Sequence, residues 1–527
     1  YTIASSGVSY DSTNKRATLT LTTSLASSPA DQADITFISG SGTINGIAVF
    51  GSTVIAQRNG ELFKSGGSGW TKINVPSYGT VLVNGGSQTG GSLAVDGLTA
   101  VPQVGDTFTV AGVDLIYTVT ALPTVTSGGA TLSINPNLDS SPADNAAVTF
   151  LTANRTSAGT LRTDRYNFDG TEHIIGVDGN NKPFNYDGST FNIFEDVTSN
   201  ADDADHVASF KNMLFFAKGN NLVFTAPYSD TDFSTAAGAG EVNVGNDITG
   251  LIVFREQLII FTEKTISRLV GNSIADFQLQ PITRDIGCIH EDTIQEIGGD
   301  IAYLAPDGIR LLSATERLGD FNNAVVSKPI QTDMVNFVNR NTSFSSVVIR
   351  EKSQYRLMGY NSNFTTDSSQ GILMTQFQDN VQWSELRGIR AFVAASAYDG
   401  GSEITVFSED TDYVYQMESG NSFDGANIKA TFATPFMPIN DPRVRKTMYK
   451  LVLYTDPQGS FSAETSLKYD FDETDVIQPA SITLSNSAGA TAAAFYGEST
   501  YGPSSGAGSY GGTIQRLFED QVMGSGR

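Results

Sequence analysis

The stretch Phe254-Arg-Glu-Gln-Leu258-Ile259-Ile-Phe-Thr-Glu-Lys-Thr-Ile266 sets an apolar anchor, an adjacent apolar pair four and five residues later, and another apolar residue twelve residues on. The same spacing recurs at Phe50 (Val54, Ile55, Leu62), at Phe210 (Leu214, Phe215, Leu222) and at Ile297 (Ile301, Ala302, Ile309). Each unit reads as a strand, a tight turn, a second strand, another turn and a third strand, the second turn marked by Asn59-Gly60, Gly219-Asn-Asn221 or Asp307-Gly308. The anchors Phe210, Phe254 and Ile297 stand 44 and 43 residues apart, the length of one four-stranded propeller blade.

Looser versions occur at Ile174-Ile-Gly-Val177 with Phe184-Asn-Tyr186, at Tyr355-Arg-Leu-Met358 with Ile372-Leu-Met374, and at Ile404-Thr-Val406 with Tyr413-Val-Tyr415. Strict and loose units number seven, with a further candidate at Met448-Tyr-Lys-Leu-Val-Leu-Tyr454. The expected fold class is therefore all-β, a β-propeller of six to eight blades; a set of stacked β-sandwiches would serve the same alternation.

A second repeat has a different period. Leu19-Thr-Leu21, Leu25-Ala-Ser-Ser-Pro29-Ala-Asp31 and Ile35-Thr-Phe37 return 113 residues later as Leu132-Ser-Ile134, Leu138-Asp-Ser-Ser-Pro142-Ala-Asp144 and Val148-Thr-Phe150. The alternating apolar positions and the shared Ser-Ser-Pro-Ala-Asp turn describe two copies of one small β-module. Tyr117-Thr-Val of the second copy matches Tyr1-Thr-Ile of the first, so about 25 or more residues of the first copy are expected to precede Tyr1.

The expected organisation is a partial module at 1–40, a first blade at 41–78, the second module inserted at 79–155, the remaining blades over 156–425, and a C-terminal β region at 426–527 that closes the propeller. One helix is expected near 327–340, where a capping Ser327 and an early Pro329 precede Ile330, Met334, Phe337 and Val338 on one face. It is expected to pack across a blade edge.

Composition supports short strands and tight turns: 52 of the 527 residues are Gly, and only 17% are charged. The net charge of −24 opposes a surface that grips nucleic acid by neutralising phosphates. An acidic wall would let DNA slide past, and the same charge keeps a large assembly subunit soluble. A single cysteine, Cys288, leaves no intramolecular disulfide and no multi-cysteine metal site. No apolar run is long enough to cross a bilayer as a helix.

Candidate chemistry is sparse. Of the histidines His173, His206 and His290, only the last has a second soft ligand nearby, in Cys288-Ile-His290, with Asp285 and Glu291 as possible carboxylates; two such ligands do not make a zinc site. The acidic runs Asp202-Asp203-Ala-Asp205 and Asp470-Phe-Asp472-Glu-Thr-Asp475 lack a calcium loop's spacing and read as solvated turns. Gly506-Ala-Gly508-Ser-Tyr-Gly511 matches a dinucleotide fingerprint but follows no strand, so the match is chance. A propeller glycosidase would need paired carboxylates and sugar-stacking aromatics; the sialidase turn is absent, and Trp70 and Trp383 are the two tryptophans. The basic run Pro442-Arg443-Val-Arg445-Lys446-Thr-Met-Tyr-Lys450 reads as an outward strand face before it reads as a DNA contact, and a third reading is docking on an acidic neighbouring subunit. No catalytic, cofactor-binding or metal-binding residue is expected, and the chain reads as a non-enzyme.

The region from Asn246-Asp-Ile-Thr-Gly through Phe254 and Ile266, then Gly287-Cys288 and Asp300-Ile-Ala-Tyr-Leu-Ala-Pro-Asp-Gly308, resembles the tail nozzle (tail tube, or packaged-DNA stabilisation) proteins of short-tailed double-stranded DNA phages. The helix after Ser327 and Asp441-Pro-Arg-Val-Arg-Lys446 with Tyr469-Asp470 look like the same family's final portion, so the likeness runs over residues 156–527. The resemblance implies a virion protein: a hexameric ring below the head-to-tail adaptor and portal, neighboured by tail fibres, spikes or a needle. Such a ring retains the packaged genome and conducts DNA during ejection, without cofactor or sequence-specific binding. The paired modules depart from that family, whose chains usually run on past a closing strand where this one ends at Gly524-Ser-Gly-Arg527. The competing expectation is a trimeric receptor-binding or adhesive β-protein that recognises glycan.

Overall fold

Each strict anchor ends the first strand of a four- or three-stranded meander and enters a two-residue hairpin turn, Phe210 pairing with Met213, Phe254 with Gln257, Ile297 with Asp300 and Phe50 with Thr53. Both turn residues are left-handed at Lys211-Asn212, Arg255-Glu256 and Gly298-Gly299, which matches the twist of the flanking strands. The computed structural model describes residues 3–11, 16–21, 42–67, 69–75, 78–113, 115–152, 155, 159–194, 201–318, 325–365, 370–377, 380–399, 401–420, 422–426, 428–437, 441, 443–454, 462–472, 477–485 and 517–526.

Seven such sheets form a ring, a seven-bladed β-propeller. Their first strands are Ile44–Phe50, Arg162–Tyr166, His206–Phe210, Ile248–Phe254, Gln295–Ile297, Ser343–Ile349 and Val393–Asp399, in blades one to seven. The adjacent apolar pair in the sequence pattern now has a physical meaning. Successive side chains of a strand face opposite ways, and in a propeller both faces are covered by a neighbouring blade. Leu258 packs toward blade three with Phe215 and Leu269, whereas Ile259 packs toward blade five with Ile301 and Tyr303. Leu214 and Phe215 divide in the same way between blades two and four. One apolar cluster fills each of the seven junctions.

The ring closes between blades seven and one. Val393 and Val406 pack against Ile44, Ile47, Val49 and Ala56, and the Ile44 N–H donates to the Thr411 carbonyl at 3.1 Å. The closing role expected of 426–527 is thus taken by residues on either side of this seam, because among the described residues each blade is built from its own continuous stretch. The candidate unit at Met448–Tyr454 is no eighth blade: Lys446–Tyr454 pairs with Leu517–Gly526, in a separate unit over 430–527 that also holds the pair Ser462–Thr465 and Ile482–Ser485.

Blade five has three strands, and helices stand at its outer side: α1 (Leu312–Leu318), which the sequence did not suggest, and α2 (Gln331–Arg340). Met334 and Phe337 of α2 join Ile309 and Leu304 in the core, and Ile330 and Val338 pack beside them. Ser327 makes no side-chain cap; its Oγ accepts from the Ile309 N–H at 3.0 Å and so serves the buried outer strand of blade five instead.

Between the last strand of blade one (Gly69–Lys72) and blade two lies a closed six-stranded barrel, Val81–Val83, Gly90–Asp96, Thr107–Val110, Ile116–Ala121, Ala130–Leu138 and Ala147–Thr152, filled by Leu93, Phe108, Tyr117, Leu132 and Phe150. A separate hairpin, Ile3–Asp11 with Arg16–Leu21, pairs Ile3 with Leu21 as the barrel pairs Val119 with Ile134. That is the pairing the 113-residue repeat aligns; the remainder of the first copy, including Ser27-Ser-Pro29, lies outside the described residues.

Candidate functional site

The first strands of all seven blades begin at one face of the ring, so polar residues at their starts gather around one mouth of the central axis. In blade five a single turn, Glu291–Thr293, precedes the first strand and carries the acidic groups. From blade two, Arg162 reaches it: Nε donates to Asp292 Oδ1 at 3.1 Å, Nη2 to Asp292 Oδ2 at 3.3 Å and to the Glu291 carboxylate, and Nη1 to the Asp205 carbonyl at 3.3 Å. One guanidinium therefore ties blade two to blade five across the mouth and also holds the loop that enters blade three.

The turn itself is fixed from behind. Thr293 Oγ1 donates to the His290 carbonyl at 2.6 Å, Tyr355 of blade six donates to the Thr293 carbonyl at 2.8 Å, and Ser346 donates to the Asp292 carbonyl at 2.7 Å. Cys288 is fully buried, its Sγ 3.1 Å from the His290 carbonyl, and burial pushes its thiol up to about 12.

At the mouth one guanidinium stands against two carboxylates. Burial opposes the charge on Arg162, but Asp292 and Glu291 outweigh it and hold the guanidinium above its ordinary value. Burial raises the carboxyl of Asp205, with the nearby Arg162 pulling the other way. His206, at the start of blade three, is driven well below the ordinary histidine range by burial and then by the charge of Arg162, so it is neutral. His290 lies 3.3 Å from Ser343 Oγ through Nε2.

A second buried pair anchors the connector that returns from the barrel. Arg155 donates to Asp178 at 2.7 Å, to the Gly60 carbonyl at 3.1 Å and to the Lys182 carbonyl at 3.1 Å, which joins blades one and two at their second turns. Asp178 also accepts from Gln57 Nε2 at 3.0 Å and Asn181 Nδ2 at 2.9 Å.

The residues weighed from sequence are mostly dispersed. Among the described residues, metal-type donors come together only at His290, Glu291 and Asp292, whose ligand atoms lie within 4.8 Å of one another; Arg162 already stands against both carboxylates as the counter-cation. Cys288 points into the core and Asp285 into solvent, so neither joins that group. His173 stacks on Tyr166 at 5.2 Å, and Asp203 sits in a left-handed turn. Asp470 and Asp472 flank Phe471 in a turn of three left-handed residues, with Asp472 3.0 Å from Lys468. Trp70 packs at the seam and Trp383 between blades five and six. Arg443 and Arg445 precede the strand that begins at Lys446. Pro442, Asp475 and Gly506–Gly511 lie outside the described residues. Sequence reasoning missed Arg162 and Arg155: Arg162 opens a polar inner strand, Arg162-Thr-Asp-Arg-Tyr166, that does not single it out, and its partner 130 residues away leaves no local trace.

No family model matches the chain, and no curated protein matches it. Solved structures that resemble it include the computationally designed Ika8 protein (8% identity, 71% of this chain and 96% of that one, TM-score 0.34). Others are an ancestral GH74 enzyme (10%, 80% and 54%, TM-score 0.31) and Hsv2 of Kluyveromyces lactis (9%, 66% and 100%, TM-score 0.27). At this level the likeness carries no argument about what the chain does.

Proposed function

We propose that the chain is a non-enzymatic structural subunit of a phage tail, one copy of a hexameric nozzle ring below the adaptor and portal that retains the packaged genome and conducts DNA during ejection. The observation that supports this reading is Arg162, which bridges blades two and five over the mouth of the propeller axis by pairing with both Glu291 and Asp292. Glu291 and Asp292, the carboxylates of the turn before blade five, are both committed to this guanidinium. On this reading the path of DNA is the lumen enclosed by several copies, because the axis of each propeller is itself crossed. The net charge of −24 suits a lumen to which DNA does not adhere.

Native mass measurement with negative-stain microscopy tests this. Six copies around an open lumen are the expected result. Three copies would favour the receptor-binding or adhesive reading, and a monomer that hydrolyses glycans would sink both.

A further inference from the structure

Residues 428–437 read Ile428-Lys-Ala-Thr-Phe432-Ala-Thr-Pro-Phe436-Met437, a strand-like alternation with Ile428, Ala430 and Phe432 on one side. Yet the segment belongs to no strand and is exposed along its whole length. Phe432 is 91% exposed, and beyond it Phe436, Met437, Tyr449, Phe471 and Ile477 are exposed as well. The rings of Phe436 and Phe471 meet in a tilted arrangement, centroids 5.2 Å apart, while both remain open to solvent, and Phe471 is held out by the left-handed turn. The only sheets of this unit among the described residues are two-stranded, an arrangement that is marginal without further cover. Such a concentration of apolar surface marks an interaction site.

Its charge says which partner it fits. Residues 443–450 carry Arg443, Arg445, Lys446 and Lys450 and no acidic residue, within a chain of net charge −24. The opposite pattern occurs on blade three. From 219 to 254 there is no Lys or Arg, while Asp230, Asp232, Glu241 and Asp247 are present. The outer strand of that blade, Gly240–Asn243, is a sheet edge, and Ile274 (48% exposed) offers apolar surface beside it. Gly240 is itself covered by Ile274, which places the Ile274 side chain at this rim.

We infer that Ile428–Thr434, together with Arg443 and Lys446, is a docking arm whose partner is a second copy of this chain: Ile428–Thr434 adds as a strand to the outer edge of blade three of that copy, with Arg443 and Lys446 against its Glu241 and Asp247. The contact is heterologous, arm to blade, so repeated copies build a ring or an open helix according to whether the rotation closes. The inference deepens the ring-subunit reading and rests on its self-association.

The test is the association constant of the full chain by sedimentation equilibrium. Phe432→Asp with Arg443→Glu is expected to weaken self-association at least 100-fold with an unchanged circular dichroism spectrum. Adding Glu241→Arg and Asp247→Arg is expected to recover at least 10-fold. Wild-type chain that stays monomeric at all concentrations would overturn both the arm and the ring reading. Wild-type chain that assembles, with arm variants that assemble equally well, would overturn the arm alone. A folded, dissociated arm variant with no recovery on charge reversal of blade three would overturn that blade as the acceptor.

Discussion

Replacing Arg155 by methionine is the sharpest probe of how the barrel insertion is fastened to the propeller. Both side chains of the Arg155–Asp178 pair are out of water, at 1% and 0% exposure, so removing the cation leaves a buried carboxylate without its counter-charge. Losing one partner of a buried pair costs about 3–5 kcal/mol. Two features of this site adjust that figure. Asp178 keeps donors from Gln57, Asn181 and the N–H groups of Asn180 and Asn181, which moderates the cost. The Gly60 and Lys182 carbonyls each lose a charged donor, which adds to it. The expected loss is about 4 kcal/mol, read as a shift of the urea midpoint at constant slope. The companion variant, Arg155→Met with Asp178→Asn, removes the stranded charge and is expected to recover about 2 kcal/mol of the loss. A single-variant loss below about 1 kcal/mol, or a double variant no better than the single, would refute the claim that the pair is buried and coupled.

Three further outcomes follow from the structure. His206 is neutral in the fold, while unfolded chain takes up a proton below the ordinary value of 6.5. Its contribution is therefore present above that pH and is lost on acidification, at about 1.4 kcal/mol per pH unit; between pH 7 and pH 5, denaturation midpoints of wild type should fall more steeply than those of His206→Asn. Cys288, fully buried and with its thiol pushed up to about 12, should react with an aromatic disulfide reagent only at the rate of global unfolding; rapid labelling of native protein would contradict that placement. Arg255-Glu256 occupies a turn whose two left-handed positions suit Asn-Gly. Exchanging the pair should raise stability by about 1 kcal/mol in thermal melts, even though the Glu256 contact with Lys211 is lost.

The fold was legible because a propeller writes itself locally. Every blade is one continuous meander, and the anchor, the adjacent pair and the turn residues all fall within thirteen consecutive positions, as from Phe254 to Ile266. All seven units, strict and loose, are the seven blades. Closure was misplaced because it leaves no local mark: Val393 and Ile44 meet through ring geometry, not through any pattern in either segment. The site was less legible for the same reason. The Cys288-His290 neighbourhood drew notice from its residue types, and the mouth does lie there, but the cation that completes it comes from Arg162 in another blade. Ser327 shows the opposite error: a local signal for a helix cap was correct in position, while the side chain serves a strand edge brought close by the fold.

The seam between blades seven and one has a mechanical side. In a ring whose last sheet borrows a strand from the opposite terminus, pulling the ends apart must tear a ladder of backbone hydrogen bonds. Here the two edges are held by side-by-side packing of Val393 and Val406 on Ile44 and Ile47, with the Ile44 to Thr411 bond beside it. Such a joint resists compression and peels under tension. Load applied along the chain would open the ring at this one junction while leaving every blade whole, and the same independence lets the chain be cut and rejoined between any two blades without splitting a sheet.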